Sequence, residues 1–398
     1  MTVIVTNAKN RIAYNIVRSL GQKGINVVTS DSHKNAMSFA SKYSKEHFVY
    51  PSPFNNNQSD FIDCIINEIQ KHKARVLMPV LEETYLISKY KKELLQHTAL
   101  VVPDYEQILL AHNKDKWEKI AGKLNICTPR SYYIDDLKNG RPVLKHLPYP
   151  LLIKPKQGGG GWGINQINSP NELERFLIKD SYLERPWEQF YVQEKIDGDT
   201  TCVAMLLNNG ELRAKVTYKQ LREYPIKCGQ ATLRISVNSP HAEEKLQLLL
   251  EHLRWHGVCQ ADFIIEKKTG IPYLVDLNPR FWGSLIQGIA SGVDFPHLYY
   301  QIALEGDVKP VLQFKTDVMT RWIGGDMRAF VPFFNESPNK LQFIKDFISP
   351  TGGKTIKDDF YLDDPLPFFT WYLDAALRMI RHKSFSPGPH DSLQGIWE

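Results

Sequence analysis

The sequence predicts an α/β domain with a parallel sheet, followed by an α+β region built on antiparallel hairpins. Three observations point there. Short β-branched runs alternate with helical segments over the first hundred residues, the pattern of strands joined by crossover helices. From about residue 130 the pattern changes to sheet with interspersed helices. The turn signal Asn209-Gly210, set between apolar alternations, marks a hairpin there.

Taken in order, Val3–Thr6 is the first strand and Arg11–Leu20 a helix that ends near Gly21. Ile25–Ser30 is a second strand, Phe48–Tyr50 a short third and Phe61–His72 a helix. Arg75–Met78 and Ala99–Val102 read as the fourth and fifth strands. After the first strand stands Asn7-Ala8-Lys9-Asn10, where a dinucleotide-binding fold would carry GxGxxG, so nucleotide binding is not expected of this domain. A helix over Asn113–Leu124 leads to an extended stretch from Thr128-Pro129. One hairpin pairs Cys202–Asn208 with Glu211–Lys219, and another joins Ala261–Glu266 to Tyr273–Asn278. The last part, rich in aromatics and proline, holds a helix at Trp371–Arg381. Its expected role is a packed subdomain, with a lid, a dimer surface or an interfacial helix as alternatives.

The bulk composition narrows the function classes. At 398 residues the chain has room for two or three cores, and a 42% apolar, 23% charged composition is that of an ordinary soluble protein. A net charge of +5, spread along the chain, is not the basic stripe of a nucleic-acid binder. Five scattered cysteines without CxxC spacing argue against a disulfide framework or zinc site and for a reducing cytoplasm. No leader pattern and no membrane span are expected.

Three clusters carry chemistry. First, Leu151–Pro155 is a strand that delivers Lys154, and Gly158-Gly159-Gly160-Gly161-Trp162-Gly163 follows. Unobstructed backbone N–H groups beside a lysine can cradle a polyphosphate, although a glycine run can equally be a flexible tight turn. Second, Gln193-Glu194-Lys195-Ile196 ends a strand before Asp199. Its acceptors could read an adenine edge and Asp199 a ribose, or these are solvated charges on a strand. Third, Asp262 lies on one hairpin strand, while Asp276, Asn278 and Arg280 lie along the other. Residues two apart share a strand face, and a five-residue loop, Lys267–Ile271, would set Asp262 opposite Asp276. Two carboxylates and an amide oxygen on one face suit Mg²⁺, and Arg280 beside them can stabilise a transferred phosphoryl group.

Together, in this order and spacing, the clusters resemble the ATP-grasp superfamily. The likeness is to its carbamoyl-phosphate-synthase-like and biotin-carboxylase-like branch, with the small carboxylate–amine ligases. It covers about residues 1–310, and Asp276-Leu277-Asn278-Pro279-Arg280 matches the superfamily's acidic-x-Asn-x-Arg motif. The resemblance implies that Lys114 and Lys154 approach the nucleotide phosphates, that Gly158–Gly163 covers them, and that Gln193–Ile196 and Asp199 hold adenosine. It implies ATP and Mg²⁺, or Mn²⁺ in its place, as cofactors. It also implies a Rossmann-like domain at 1–110 that helps to bind substrate, an ATP-grasp domain at 111–310 and an extension at 311–398.

On the acceptor side, Arg222 or Arg234 could grip a substrate carboxylate, or be a solvated strand charge. Glu82 and Glu83 could orient an amine, or serve the helix dipole. Trp282 could wall the acceptor pocket, or be core. The expected activity is an ADP-forming carboxylate–amine ligation through an acyl phosphate, in the cytoplasm and with a homodimer possible. Bicarbonate activation, thiol ligation and a non-catalytic ATP-binding role are the alternatives.

Overall fold

The computed structural model describes residues 1–53, 58–134, 137, 141–156, 163–178, 181–182, 185–186, 189–225, 229–348, 350 and 355–382. The first hundred residues build a parallel sheet in the order β3-β2-β1-β4, from β1 (Thr2–Val5), β2 (Asn26–Asp31), β3 (Ser44–Val49) and β4 (Ala74–Met78). The stretch read as a fifth strand reaches the sheet only through a bridge of Ala99 to Val76.

Alternation along β1 sends Val3 and Val5 to one core and Ile4 to the other, so both faces of the sheet are covered. The loop after β1 shows why asparagines replace glycines there. Asn7 adopts a left-handed φ of 56°, and Asn10 caps the helix Arg11–Gln22 by accepting from the Ile12 N–H at 3.0 Å.

A second sheet, ordered β5-β10-β6-β7, consists of β5 (Ser131–Tyr133), β6 (Leu151–Pro155), β7 (Asn165–Ile167) and β10 (Phe190–Glu194), all antiparallel. Between them β8 (Ser181–Tyr182) and β9 (Arg185–Pro186) make a two-stranded ribbon. The third sheet is the largest. Its seven strands run β15-β14-β11-β12-β13-β16-β17, with β11 (Gly198–Asn208), β12 (Glu211–Tyr224), β13 (Gln230–Ser236), β14 (Gly257–Glu266) and β15 (Pro272–Asn278). Its last two strands, β16 (Met319–Arg321) and β17 (Ile356–Lys357), come from the segment expected to be a separate extension. Asn209 and Gly210 both take positive φ, 52° and 92°, in the two-residue β11–β12 turn.

On β11, Cys202, Ala204 and Leu206 face the core shared with the parallel domain. Val203, Met205 and Leu207 face the opposite core, with the helix Pro240–His252 and Trp117. One continuous core therefore joins the parallel domain to the large sheet, while the small sheet keeps a core of its own around Ile153, Leu173 and Val192. The chain crosses from the small sheet to the large one at residues 195–197, between β10 and β11.

Among the described residues, no helix is long and apolar enough to cross a membrane. Cys64, Cys127, Cys202 and Cys259 are free thiols.

Candidate phosphoryl-transfer cleft

The hairpin of β14 and β15 sets the acidic face. From its turn the strands pair as Ile265↔Pro272, Ile264↔Tyr273 and Phe263↔Leu274, a register that would carry Asp262 past Asp276. A β-bulge at Val275 then shifts the register by one, and Asp262 comes opposite Asp276. The expected pairing is present, reached by a bulge and not by the length of the turn. The extra residue also leaves the ladder, and its carbonyl accepts from Lys114 Nζ at 2.6 Å. Lys114 opens the helix Lys114–Lys123, capped by Asn113.

Asp276 lies open to solvent on one side and surrounded by protein on the others. Burial, and then Asp262, push its carboxyl up to about 6, against the opposing pull of Lys114, Lys154 and Arg280. Four charged groups, Asp262, Lys114, Lys154 and Arg280, thus act on Asp276.

The two lysines are tied into one polar chain. Lys154 Nζ donates to Gln193 Oε1 at 2.8 Å, and Gln193 Nε2 donates to Ser131 Oγ at 3.1 Å. Ser131 Oγ donates to Glu118 Oε1 at 3.1 Å, and Glu118 pairs with Lys114 at 3.8 Å. Gln193 is therefore buried in this network, where the sequence reading had it facing a base. Glu194 accepts from the Arg130 N–H at 3.4 Å, and Lys195 Nζ donates to Gln166 Oε1 at 2.8 Å. Ile196 is buried at the crossing, and Asp199 pairs with Lys219 on the neighbouring strand at 2.7 Å. Gly158, Gly159, Gly160, Gly161 and Trp162 lie outside the described residues, and Gly163 follows them with φ 73°.

Arg280 Nη1 donates to the Phe281 carbonyl at 3.2 Å, while its buried Nε has no hydrogen-bond partner among the described residues. Arg280 also helps, after desolvation, to hold the half-buried His112 imidazole down at about 4. A like-charged carboxylate pair on a shared face fits a bound cation, and the guanidinium of Arg280, which forms no ion pair among the described residues, is open to an anion.

On the acceptor side the structure gives three of the named residues internal partners. Arg222 is buried and donates to Asp326 Oδ2 at 2.7 Å, and Arg321 pairs with the same carboxylate at 2.6 Å. Arg234 is fully buried against Ser284 Oγ at 2.9 Å and Asp358, which also pairs with Arg11 at 3.4 Å. Neither is a solvated strand charge, and each already holds an internal counter-ion from the last eighty residues. Residues 226–228, in the loop between these strands, lie outside the described residues. Trp282 is core: it is 2% exposed and packs edge-on against Phe295, 5.0 Å between centroids.

Glu83 opens the helix Glu83–Lys89, but buried, accepting from Asn7 Nδ2 at 2.8 Å and Tyr50 Oη at 2.8 Å. Burial first, then Asp31 and Glu82, raise its carboxyl to about 7.

These elements define a mixed α/β protein in which the edge of the large sheet brings two carboxylates, Asp262 and Asp276, near Lys114, Lys154 and Arg280. Residues 111–284 match the family model of the ATP-grasp domain. The chain is 20% identical over 256 residues to the carbamoyl phosphate synthase large chain of Thermoanaerobacter sp. (strain X514), matching 62% of this chain and 24% of that one. It is 24% identical over 172 residues to the D-alanine--D-alanine ligase of Acetivibrio thermocellus, 38% of this chain and 43% of the ligase. The chain thus spans about a quarter of the length of the first of these relatives.

Among solved structures, biotin carboxylase from Campylobacter jejuni in complex with β,γ-ATP superposes with a TM-score of 0.64 at 16% identity, over 80% of this chain and 74% of that one. L-amino acid ligase from Bacillus licheniformis gives 0.57 at 17% identity, over 78% and 77%. At these identities the likeness is one of fold.

Proposed function

We propose that this chain is an ATP-dependent carboxylate–amine ligase that works through an acyl phosphate and releases ADP and phosphate. The observation that carries the reading is the meeting of Asp262, Lys114, Lys154 and Arg280 around Asp276 in an ATP-grasp domain. Asp262, Asp276 and Asn278 would hold Mg²⁺, which when bound neutralises charge on the terminal phosphates of ATP. Lys114 and Lys154 add positive charge at the same point, and the orphaned Nε of Arg280 can donate to the phosphoryl group in transfer. Adenosine would sit along Glu194–Ile196 and Asp199, where the two sheets join.

In the proposed reaction a substrate carboxylate attacks the γ-phosphorus, forming the O–P bond as the bond to ADP breaks. The amine then attacks the acyl carbon, phosphate leaves, and the nitrogen loses its proton. Glu83, buried at the C-terminal edge of the parallel sheet, is kept as a candidate group on the amine side. Because the proposed site would set these charges against the terminal phosphates, the nucleotide product should be ADP. The test replaces the amine by hydroxylamine and screens amino acids as the carboxylate. A hydroxamate should accumulate in step with ADP. Substrate-dependent AMP would overturn the mechanism, and absence of substrate-dependent ADP across the screen would favour a non-catalytic ATP-binding protein.

A further inference from the structure

Gln260 is a buried polar side chain with no place in the expected site, 4% exposed and two residues before Asp262 on β14. Spacing by two puts it on the same strand face as Asp262, and the register sets it opposite Asn278. Both ends of its amide are used. Nε2 donates to Asp262 Oδ1 at 2.7 Å, and Oε1 accepts from Asn278 Nδ2 at 3.0 Å.

We propose that Gln260 is the positioning residue of the cation site, orienting Asp262 and Asn278 at once. This rests on reading Asp262, Asp276 and Asn278 as that site. Asp262 Oδ1 accepts a second time, from Cys202 Sγ at 2.9 Å, so one oxygen is occupied by two donors and Oδ2 remains for a cation. Asn278 directs Nδ2 to Gln260 and, more weakly, to Asp276 Oδ2 at 3.4 Å. Its acceptor, Oδ1, is left as the group able to coordinate. One side chain thereby fixes which oxygen of each neighbour is offered. Without it, Asp262 and Asn278 would each lose a partner and regain rotamer freedom, and the like-charged Asp262–Asp276 pair would separate more easily. Partners of this kind, one step removed from a metal, typically alter its affinity 10- to 100-fold.

The test uses Mn²⁺ as the probe, its free concentration followed by electron paramagnetic resonance on the full chain with saturating ADP. Gln260→Leu, of similar volume but unable to hydrogen-bond, should weaken Mn²⁺ binding about 10- to 100-fold. Its metal-free affinity for a fluorescent ADP analogue should stay within about 2-fold of wild type. Wild-type Mn²⁺ affinity in a folded Gln260→Leu protein would overturn the proposal, as would equal losses in Mn²⁺ and nucleotide binding. Should Gln260→Leu fail to fold, Gln260→Met decides. It keeps an unbranched side chain and adds no charge but removes both the donor to Asp262 and the acceptor towards Asn278, so it should also weaken Mn²⁺, and an unchanged affinity would overturn the role. Asp276→Asn serves as the control for the site itself. If it leaves Mn²⁺ binding intact, the cation-site reading fails and not merely the part assigned to Gln260.

Discussion

The cleft around Asp276 and the arginine cluster at the far side of the large sheet both gather charge, to opposite ends. In the cleft, Asp262 and Asp276 repel across the strands, and Arg280 forms no ion pair among the described residues. In the cluster, Arg222, Arg321, Arg234 and Arg11 are matched to Asp326 and Asp358. Charge left unmatched is a place for a ligand, while charge matched internally holds segments together. Here it holds β16, β17 and the helix Ile323–Glu336 to β12, β13 and the first helix. An arginine's presence in a strand says nothing of which it will be; its partner decides.

Three substitutions test that contrast. Asp276→Ala or Lys154→Ala should lower ADP formation by roughly 10³-fold or more, with melting temperature nearly unchanged, since the role proposed for each is in phosphate chemistry and not in packing. Steady-state turnover at saturating Mg²⁺ measures it, and near wild-type rates would void the site assignment. Arg234→Ala should instead cost about 3–5 kcal/mol of stability, because Asp358 is left buried opposite Arg11 alone. Denaturant unfolding measures this. A stable Arg234→Ala protein with a raised KM for the acid would return the arginine to the substrate.

The smallest effect concerns Glu83, whose carboxyl is raised in the folded chain to about 7 from an ordinary 4.5. Between those values the folded state holds the proton more tightly than the unfolded one. Glu83 therefore favours folding at low pH and loses that contribution as pH rises from about 4.5 through 7. Glu83→Gln, which stays neutral, should flatten the fall in melting temperature between pH 5 and 8. An identical pH profile in both proteins would rule out the buried carboxyl as its source.

Much of this was legible in the sequence where a signal is local. Asn209-Gly210 fixed a hairpin because both residues tolerate positive φ, and Asp276-Leu277-Asn278-Pro279-Arg280 marked its strand. The bulge at Val275 was not legible, since a valine in a strand announces no irregularity. Strands β16 and β17, three and two residues long, are too short to show a period. The partners of Arg222 and Arg234 lie 104 and 124 residues away, a separation that no spacing rule spans. Gln260 could have been found, because a polar residue two before Asp262 must share its face.

The placement of β16 also bears on where this protein can be cut. The matched domain ends at residue 284, yet β13 finds its next neighbour at Met319–Arg321. A chain trimmed to that boundary would leave β13 as a raw sheet edge and strand Arg222 and Arg234 without counter-ions. The unit defined by family resemblance and the unit able to fold are different lengths of chain. The last strands belong to the large sheet as structural members, although they contribute none of the expected nucleotide-site residues.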